Sequence, residues 1–418
     1  MLDIQFIRDN RELVQEKSKQ KNVDVDIDRL LSLDDQRRAL ITKTETLRQE
    51  RNALSSQSQG GKPTEEQINE GRRLKDEISN LEAELGAVDK DFRDLMLRVP
   101  NPVQDDVPVG ADESANQVIK TIGEQPQFAF EVKDHLELGE KLGIIDVENG
   151  AKISGSRFYY LKGSAVQLEF ALVNWLISKY IAKGFTLVTV PQLVRREMME
   201  GTGFFPADEN EIYRVNADDD DLYLIGTSEV PLAGLHAGEV MDVLDEPKRY
   251  LGFSTCFRRE AGSYGKDTRG IFRVHQFDKL EMYSYCRPEV SRDEHEYLLS
   301  IEEEILQDLK LPYHVLNLCS GDLGAPAAKK YDCEAWIPSQ ARYRELTSCS
   351  NTTDFQARRL NIRYRTSDGK VEYAHTLNGT AMAYSRMLIA IMENYQEQDG
   401  RVRIPEVLVP FMGGKEYL

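Results

Sequence analysis

No stretch of this 418-residue chain stays apolar over the length that a bilayer-spanning helix needs. The opening MLDIQFIRDNRELVQ has neither a basic n-region nor an apolar h-region, so export is not expected. Cysteine is scarce: Cys256, Cys286, Cys319, Cys333 and Cys349 are odd in number and form no CxxC pair. That spacing argues against a Cys-rich zinc site and fits free thiols in a reducing cytoplasm. Positive charge is also short, with 53 Lys and Arg against 71 Asp and Glu, a net charge of −18. Phosphate contacts supply most nucleic-acid affinity, so the chain as a whole is no general polyanion binder, although a locally basic surface stays open. Internal repeats and low-complexity tracts are absent. What is present is the composition of a globular protein, 40% hydrophobic, at a length for which two domains are the natural expectation.

Leucines recur at a spacing of seven at Leu33, Leu40, Leu47 and Leu54. Two further seven-residue series interleave downstream, Leu74–Leu81–Val88–Leu95 and Ile78–Leu85–Phe92. This 3–4 alternation is a coiled-coil seam. SSQSQGGKPT (55–64) between the segments predicts a tight reversal, and two helices joined by a short breaker pack antiparallel. Over 27–100 there are 13 basic and 15 acidic residues, with the basic ones toward the tip. Such a hairpin either only joins chains or presents a rigid probe to an anionic partner.

RVPNPVQDDVPVG (98–110) holds three prolines and predicts a linker. Beyond it, LEFALVNWLISKYIAKG is a helix apolar on nearly every face, which predicts burial on all sides, with a subunit interface as the simple means. FTLVTVP follows as a strand, and further strands are predicted at LYLIGTSE, RYLGFSTCFRRE and IFRVHQFDKLEMYSYC. The acidic run Asp218–Asp221 predicts a solvated loop.

The 28 residues from Ser254 to Glu281 gather six Lys or Arg among four acids. Read as strand, loop and strand, they place Arg273, His275, Phe277, Lys279 and Glu281 on one face of the second strand. Arg258 and Glu260 share a face of the first strand and fall beside them. Two readings stand: a solvated face laced with salt bridges, or a site for a substrate with phosphates, a flat base and an ammonium group. Arginine binds phosphate oxygens bidentately, an aromatic ring stacks on a base, and a carboxylate accepts from an amine. His275 by itself reads as a structural hydrogen-bonding residue. Farther on, Asn378–Gly379 predicts a strand break before a helix that holds Arg386 in an apolar run. Arg386 is either a core ion pair or a guanidinium aimed at a phosphate from a rigid element.

FRRE (257–260), with the loop and RVHQFDKLE after it, resembles motif 2 of the class II aminoacyl-tRNA synthetases. LNGTAMAYSR (377–386) resembles motif 3, and the long helix, strand and Pro191 resemble motif 1. GTSEVPL (226–232), ELTSCSNTTDFQARR (345–359) and the N-terminal hairpin are similar to the seryl-tRNA synthetase family, over essentially the whole chain. The resemblance implies an α+β fold: an N-terminal antiparallel two-helix coiled-coil arm (1–105), then a class II synthetase domain (106–418) built on an antiparallel sheet flanked by helices. Motif 1 lies near 164–191, motif 2 near 251–285 and motif 3 near 375–395. It implies ATP-dependent activation of L-serine to seryl-adenylate, then transfer to the 3′ end of tRNA(Ser), with tRNA(Sec) as a further candidate acceptor. The alternative is an amino-acid-activating paralogue with another acceptor, which loss of the arm would favour.

The resemblance also implies roles for particular residues. Arg258, Glu281 and Arg386 are the catalytic candidates. Arg258 holds the α-phosphate, Glu260 contacts adenine, Phe277 stacks on it, and Arg273 steadies the ATP tail, with Arg259 and Val274 flanking. Arg386 binds the γ-phosphate. Glu345 and Ser348 coordinate Mg2+, with Leu346 and Thr347 beside them in the ATP site. Serine sits among Thr227, Ser228, Glu229, Arg258, Glu281 and Thr380, with Asn378 nearby. The arm reads the long variable arm of the tRNA across a homodimer, through backbone and shape, and Arg48, Arg51, Lys62, Arg72, Arg73 and Lys75 are its candidate contacts. Both chemical steps run by alignment and charge stabilisation, so no protein nucleophile is expected. The location implied is the cytoplasm, without a membrane partner.

Overall fold

The computed structural model describes residues 1–57, 64–216, 220–261, 267 and 269–418. They form two compact units, Leu2–Pro100, and Asn101–Leu418 together with Met1.

In the first unit two short helices, Ile4–Asp9 and Arg11–Gln20, precede α1 (Ile27–Gln57) and α2 (Glu65–Arg98). A capping box starts α2: Thr64 Oγ1 accepts from the Gln67 amide at 3.2 Å, and Gln67 Oε1 accepts from the Thr64 amide at 2.9 Å. Helix α1 runs on through Ser55–Gln57, where the composition predicts the reversal to begin, and 58–63 lie outside the described residues. Leu47, Leu74, Ile78 and Leu81 form a buried seam flanked by Leu40 and Leu54, the series that the seven-residue spacing marks. Ion pairs Arg29–Asp91, Arg37–Asp89 and Arg48–Glu82 step up α1 and down α2, which makes the hairpin antiparallel.

The second unit is built on an eight-stranded sheet. Its strands are β1 (Gln117–Ile122), β2 (Thr186–Thr189), β3 (Lys248–Phe257), β4 (Gln276–Cys286), β5 (Tyr313–Asn317), β6 (Lys329–Ile337), β7 (Arg342–Asn351) and β8 (His375–Ala383). They lie in the order β1-β5-β6-β7-β8-β4-β3-β2, antiparallel except for the parallel β2–β3 pair. Helices α3 (Ser164–Ile181), α4 (Glu229–Gly234), α5 (Ser291–Asp308), α6 (Phe355–Leu360) and α7 (Tyr384–Asn394) flank it. Alternation along β4 serves two cores. Leu280 and Met282 pack with Leu172, Leu298 and Leu388, whereas Tyr283 and Tyr285 join Val230, Leu232 and Leu360 in a second cluster. On that second face, Phe277, Lys279 and Glu281 precede the tyrosines. One strand face thus passes from polar to aromatic.

Several expectations are corrected. Strand β4 begins at Gln276 and β3 ends at Phe257, so 271–275 and 258–260 lie outside the ladder and do not follow a pleat. Asn378–Gly379 interrupts nothing, because β8 runs through it. A Cβ on Gly379 would stand 3.0 Å from Met282 and 3.3 Å from the Cys349 Cβ, so this glycine serves close strand packing and not a turn. Within the single chain α3 keeps one exposed stripe, on the side for which the expectation invokes a subunit interface. Leu168, Leu172 and Leu176 enter the core, but Phe170 is 58% and Ile181 50% exposed, as is 40% of Leu187 on the edge strand β2. The proline-rich stretch has no regular structure, yet it is no free linker. Val103 and Val107 pack against Leu316, Leu318 and Leu323, and Asn101 Nδ2 donates to the Pro326 and Thr352 carbonyls at 2.9 and 2.8 Å.

Beneath α3, Glu169 approaches Asp278 of β4. Burial, with Asp278 adding repulsion, pushes the Glu169 carboxyl up to about 8, while Asp278 accepts from Thr255 Oγ1 at 2.6 Å.

Candidate active site

The chain leaves the β3–β4 ladder because other loops capture it. The Arg258 amide still donates to the His275 carbonyl at 3.0 Å, and His275 Nδ1 lies 2.9 Å from the Arg258 carbonyl. The next amides turn away, His275 to the Arg157 carbonyl and Arg259 to that of Glu211. Arg258 is therefore gripped at both backbone groups. Its Nε donates to the Gly226 carbonyl at 3.1 Å, and its guanidinium lies 5.3 Å from the Phe277 ring centroid. Glu260, in the left-handed region at φ 52°, accepts from Arg273 Nη1 at 3.0 Å. Arg273 Nε is buried without a hydrogen-bond partner among the described residues, 3.7 Å from the Asp267 carboxylate.

Two β-bulges assemble the opposite wall. Along β6–β7 the register passes from Cys333↔Thr347 to Glu334↔Glu345, skipping Leu346. In a regular strand Glu345 would share a face with Thr347; the bulge sets it with Ser348 instead. Along β4–β8 the pairing skips Ala381, which puts Thr380 opposite Glu281. Arg386, in the first turn of α7, lies 3.1 Å from the Glu345 carboxylate and donates to the Glu345 carbonyl at 3.0 Å. Its guanidinium rests 4.9 Å from the Phe272 ring centroid, and Arg344 stands 3.8 Å from the same centroid. Burial opposes ionisation of Glu345, but Arg386, Lys330 and Arg258 overcome it and hold the carboxyl down to about 2. Beyond Arg386 the cleft widens into a polar basin of about 740 Å³ lined by Asp267, Lys330, Asp332 and Glu334.

At the inner end the polar groups close on one another. Lys279 Nζ lies 2.5 Å from Glu281 Oε2 and 3.3 Å from Thr227 Oγ1. The buried Glu281 also accepts from Asn378 Nδ2 at 3.1 Å and from Thr380 Oγ1 at 3.4 Å. Glu229, at the start of α4, accepts from Gln356 Nε2 at 2.8 Å. Burial first, and the Glu281 charge second, push the Glu229 carboxyl up to about 7. Two buried carboxylates, two hydroxyls and an amide can receive an ammonium and a hydroxyl together.

Of the residues singled out in the sequence, Arg258, Glu260, Arg273, Val274, Phe277, Glu345, Leu346, Ser348, Thr380 and Arg386 line one cleft. Thr227, Glu281 and Asn378 join it through the hydrogen bonds just described, and Glu229 through its amide, which donates to Thr227 Oγ1 at 3.2 Å, and through the facing charge of Glu281. Three do not. Arg259 is exposed, Thr347 turns back to donate to Glu302 at 2.8 Å, and the buried Ser228 donates to the Gly252 carbonyl at 3.3 Å. In the arm, Arg48 pairs with Glu82 at 2.8 Å and Arg73 with Glu70 and Glu77 at 2.6 and 3.0 Å. Arg72 and Lys75 are exposed, Arg51 is half-buried, and Lys62 lies outside the described residues. Sequence reasoning missed Phe272, Gln356 and the role of Lys279. Lys279 stood in the strand pattern between Phe277 and Glu281, so period 2 could have found it. Gln356 had no local signal.

A mostly antiparallel sheet with arginines from the ends of its strand connection and from the following helix converging on one cleft is the architecture of a class II aminoacyl-tRNA synthetase. The family model for the tRNA synthetase class II core domain (G, H, P, S and T) matches residues 213–395, and that for the seryl-tRNA synthetase N-terminal domain matches 1–103. The chain belongs to the seryl-tRNA synthetase family. It is 48% identical over 416 residues to the serine–tRNA ligase of Rhodococcus jostii, covering 99% of each chain. Among solved structures it is similar to the seryl-tRNA synthetase from Pyrococcus horikoshii complexed with ATP, with TM-score 0.89 and 43% identity, covering 100% of this chain and 99% of that one. The cytoplasmic serine–tRNA ligase from Naegleria fowleri in complex with AMP follows at TM-score 0.86 and 36% identity, with 100% and 98% covered.

Proposed function

We propose that the cleft arginines hold ATP and that the Thr227–Glu229–Glu281 network holds serine, for the serine activation and tRNA charging that this chain catalyses. The observation that supports this most is the convergence of Arg258, Arg273 and Arg386 on a cleft that ends at two buried carboxylates. The serine carboxylate attacks the α-phosphorus, the bond to the bridging oxygen breaks, and pyrophosphate leaves. The terminal ribose hydroxyl of the tRNA then attacks the seryl carbonyl, and AMP departs. Arg258 stabilises charge on the α-phosphate, Arg386 and Arg273 stabilise it on the leaving pyrophosphate, and Phe277 with Glu260 orients the base.

Serine's hydroxyl faces Glu281 and Thr380, so alanine leaves buried polar groups unpaired and is rejected, while threonine is excluded by its extra methyl. Glu345, kept ionised by its neighbours, and the Ser348 hydroxyl on the same strand face offer hard oxygen donors that suit Mg2+. When bound there, the ion supplies positive charge to the phosphates. No helix among the described residues is long and apolar enough to cross a membrane.

The same proposal takes the chain as a homodimer, joined where Phe170, Ile181 and Leu187 are exposed, with the arm serving tRNA across subunits. The acceptor is tRNA(Ser), with tRNA(Sec) a second acceptor on the family resemblance alone. The buried free cysteines fit a cytoplasmic location. Exchange of pyrophosphate into ATP, without tRNA, tests the assignment. Exchange with serine and not with threonine, alanine or glycine is expected. Equal exchange with threonine would overturn the pocket around Glu281 and Thr380.

A further inference from the structure

Gln356 does not line the cleft, yet it is wholly buried at the centre of the polar network behind Glu229. Its Oε1 faces three hydroxyls, Tyr283 Oη at 2.7 Å, Thr376 Oγ1 at 3.0 Å and Thr352 Oγ1 at 3.4 Å. Its Nε2 faces the Thr202 carbonyl at 3.2 Å and Glu229 Oε1 at 2.8 Å. The opposite amide orientation would set a carbonyl oxygen against a backbone carbonyl and a carboxylate, neither of which has a proton to give when Glu229 is ionised. Elements distant in the chain, β4, β8 and α4 among them, therefore hold one amide in one orientation.

On the serine-pocket reading, in which the hydroxyl takes Glu281 and Thr380 and so leaves the ammonium to Glu229, we propose that Gln356 is a positioning residue for serine: its amide aims the Glu229 carboxylate at that ammonium. The groups facing Glu229 are few. Glu281 on β4 opposes its charge, whereas Lys279 on β4, Arg258 beyond β3 and the Gln356 amide support it. Burial and Glu281 prevail, and the carboxyl titrates near neutrality, at about 7. A donor to the charged form lowers a carboxyl's pKa, and its removal raises it. Without Gln356, the protonated form of Glu229 gains and an ammonium is bound less well.

The test measures the KM for serine and for ATP in pyrophosphate exchange from pH 6 to 8.5. The variants are Gln356→Met, which keeps the shape and removes the donor, and Tyr283→Phe, which removes one orienting hydroxyl. Gln356→Met should raise the serine KM about tenfold or more, the range of a lost hydrogen bond to a charged group, and leave the ATP KM within about twofold. The pH below which serine binding weakens should move upward. Tyr283→Phe should act in the same direction and less. A joint rise of both KM values with an unmoved pH profile would reduce Gln356 to a structural role. If Gln356→Met does not fold, an unchanged serine KM in Tyr283→Phe at every pH sinks the idea. Glu229→Gln separates the levels. Should it leave the serine KM unchanged, the pocket assignment itself fails; should it raise that KM while Gln356→Met does not, only the role of Gln356 fails.

Discussion

The helical arm and the catalytic sheet use the same ion pairs under different conditions. Arg48–Glu82 and Arg73–Glu70 stand on open helix faces, with more than two-fifths of every side chain exposed. Water and salt screen them, and each pair adds little to stability. Arg386–Glu345 has the same chemistry at 3.1 Å, with the glutamate 39% exposed but the arginine only 19%, its guanidinium near Phe272, and Lys330 and Arg258 close by. There the charges set the ionisation of a carboxylate and point a guanidinium in one direction. Residue type does not decide what a charge does; the surrounding dielectric and the rigidity of its support decide it.

Breaking a cleft charge should therefore cost far more than breaking an arm charge. Arg386→Gln should lower serine-dependent pyrophosphate exchange by about a thousandfold, the scale of a removed transition-state donor, with the thermal transition retained. A loss of less than about tenfold would erase the contrast.

The next effect reads the buried pocket through stability. Glu229 is raised from an ordinary 4.5 to about 7 in the folded chain. The folded state thus holds a proton that the unfolded state has lost, and stability declines as pH rises from about 4.5 through 7. Glu229→Gln lacks this titration. Relative to the parent, it should gain about 3 kcal/mol between pH 4.5 and 8 in denaturant unfolding. A difference constant with pH would mean that the pocket is as well solvated as the arm.

The smallest expected change lies in the arm. Alanine at Arg48, Arg51 and Arg72 together should lower kcat/KM for tRNA charging by about tenfold and flatten its salt dependence, with pyrophosphate exchange unchanged. Unaltered charging at moderate salt would remove these arginines from tRNA binding and leave the arm's charges as a solvated surface.

Legibility in the sequence followed how local each cause was. Leu47, Leu74, Ile78 and Leu81 announce their seam because a coiled coil depends on a periodicity that any window shows. Arg258 and Arg386 were found through motifs, although the pleat first invoked for Arg258 and Glu260 does not exist. Captures by Glu211 and Arg157, far off in the chain, pull that segment out of the ladder. Glu345 and Ser348, which the motif names together, share a strand face for a reason that the spacing hides, a bulge at Leu346. Thr347 and Ser228 fell with their neighbours by proximity, and the structure turns both away from the cleft. For α3, apolar content pointed to burial on every side, and one chain leaves exposed only the stripe of Gln167, Phe170, Asn174, Ser178 and Ile181.

By itself, then, the sequence determined the two-helix arm, the strands and the helix around the two arginine motifs, and the residue types at the cleft, because periodicity and short motifs are local properties of the chain. Tertiary structure decided the facing of Glu345, the left-handed turn at Glu260, the grip of His275 on Arg258 and the orientation of Gln356 toward Glu229. Each of these depends on hydrogen bonds between segments tens to hundreds of residues apart. Buried polar groups must find partners wherever the fold brings them, and no local pattern records where that is.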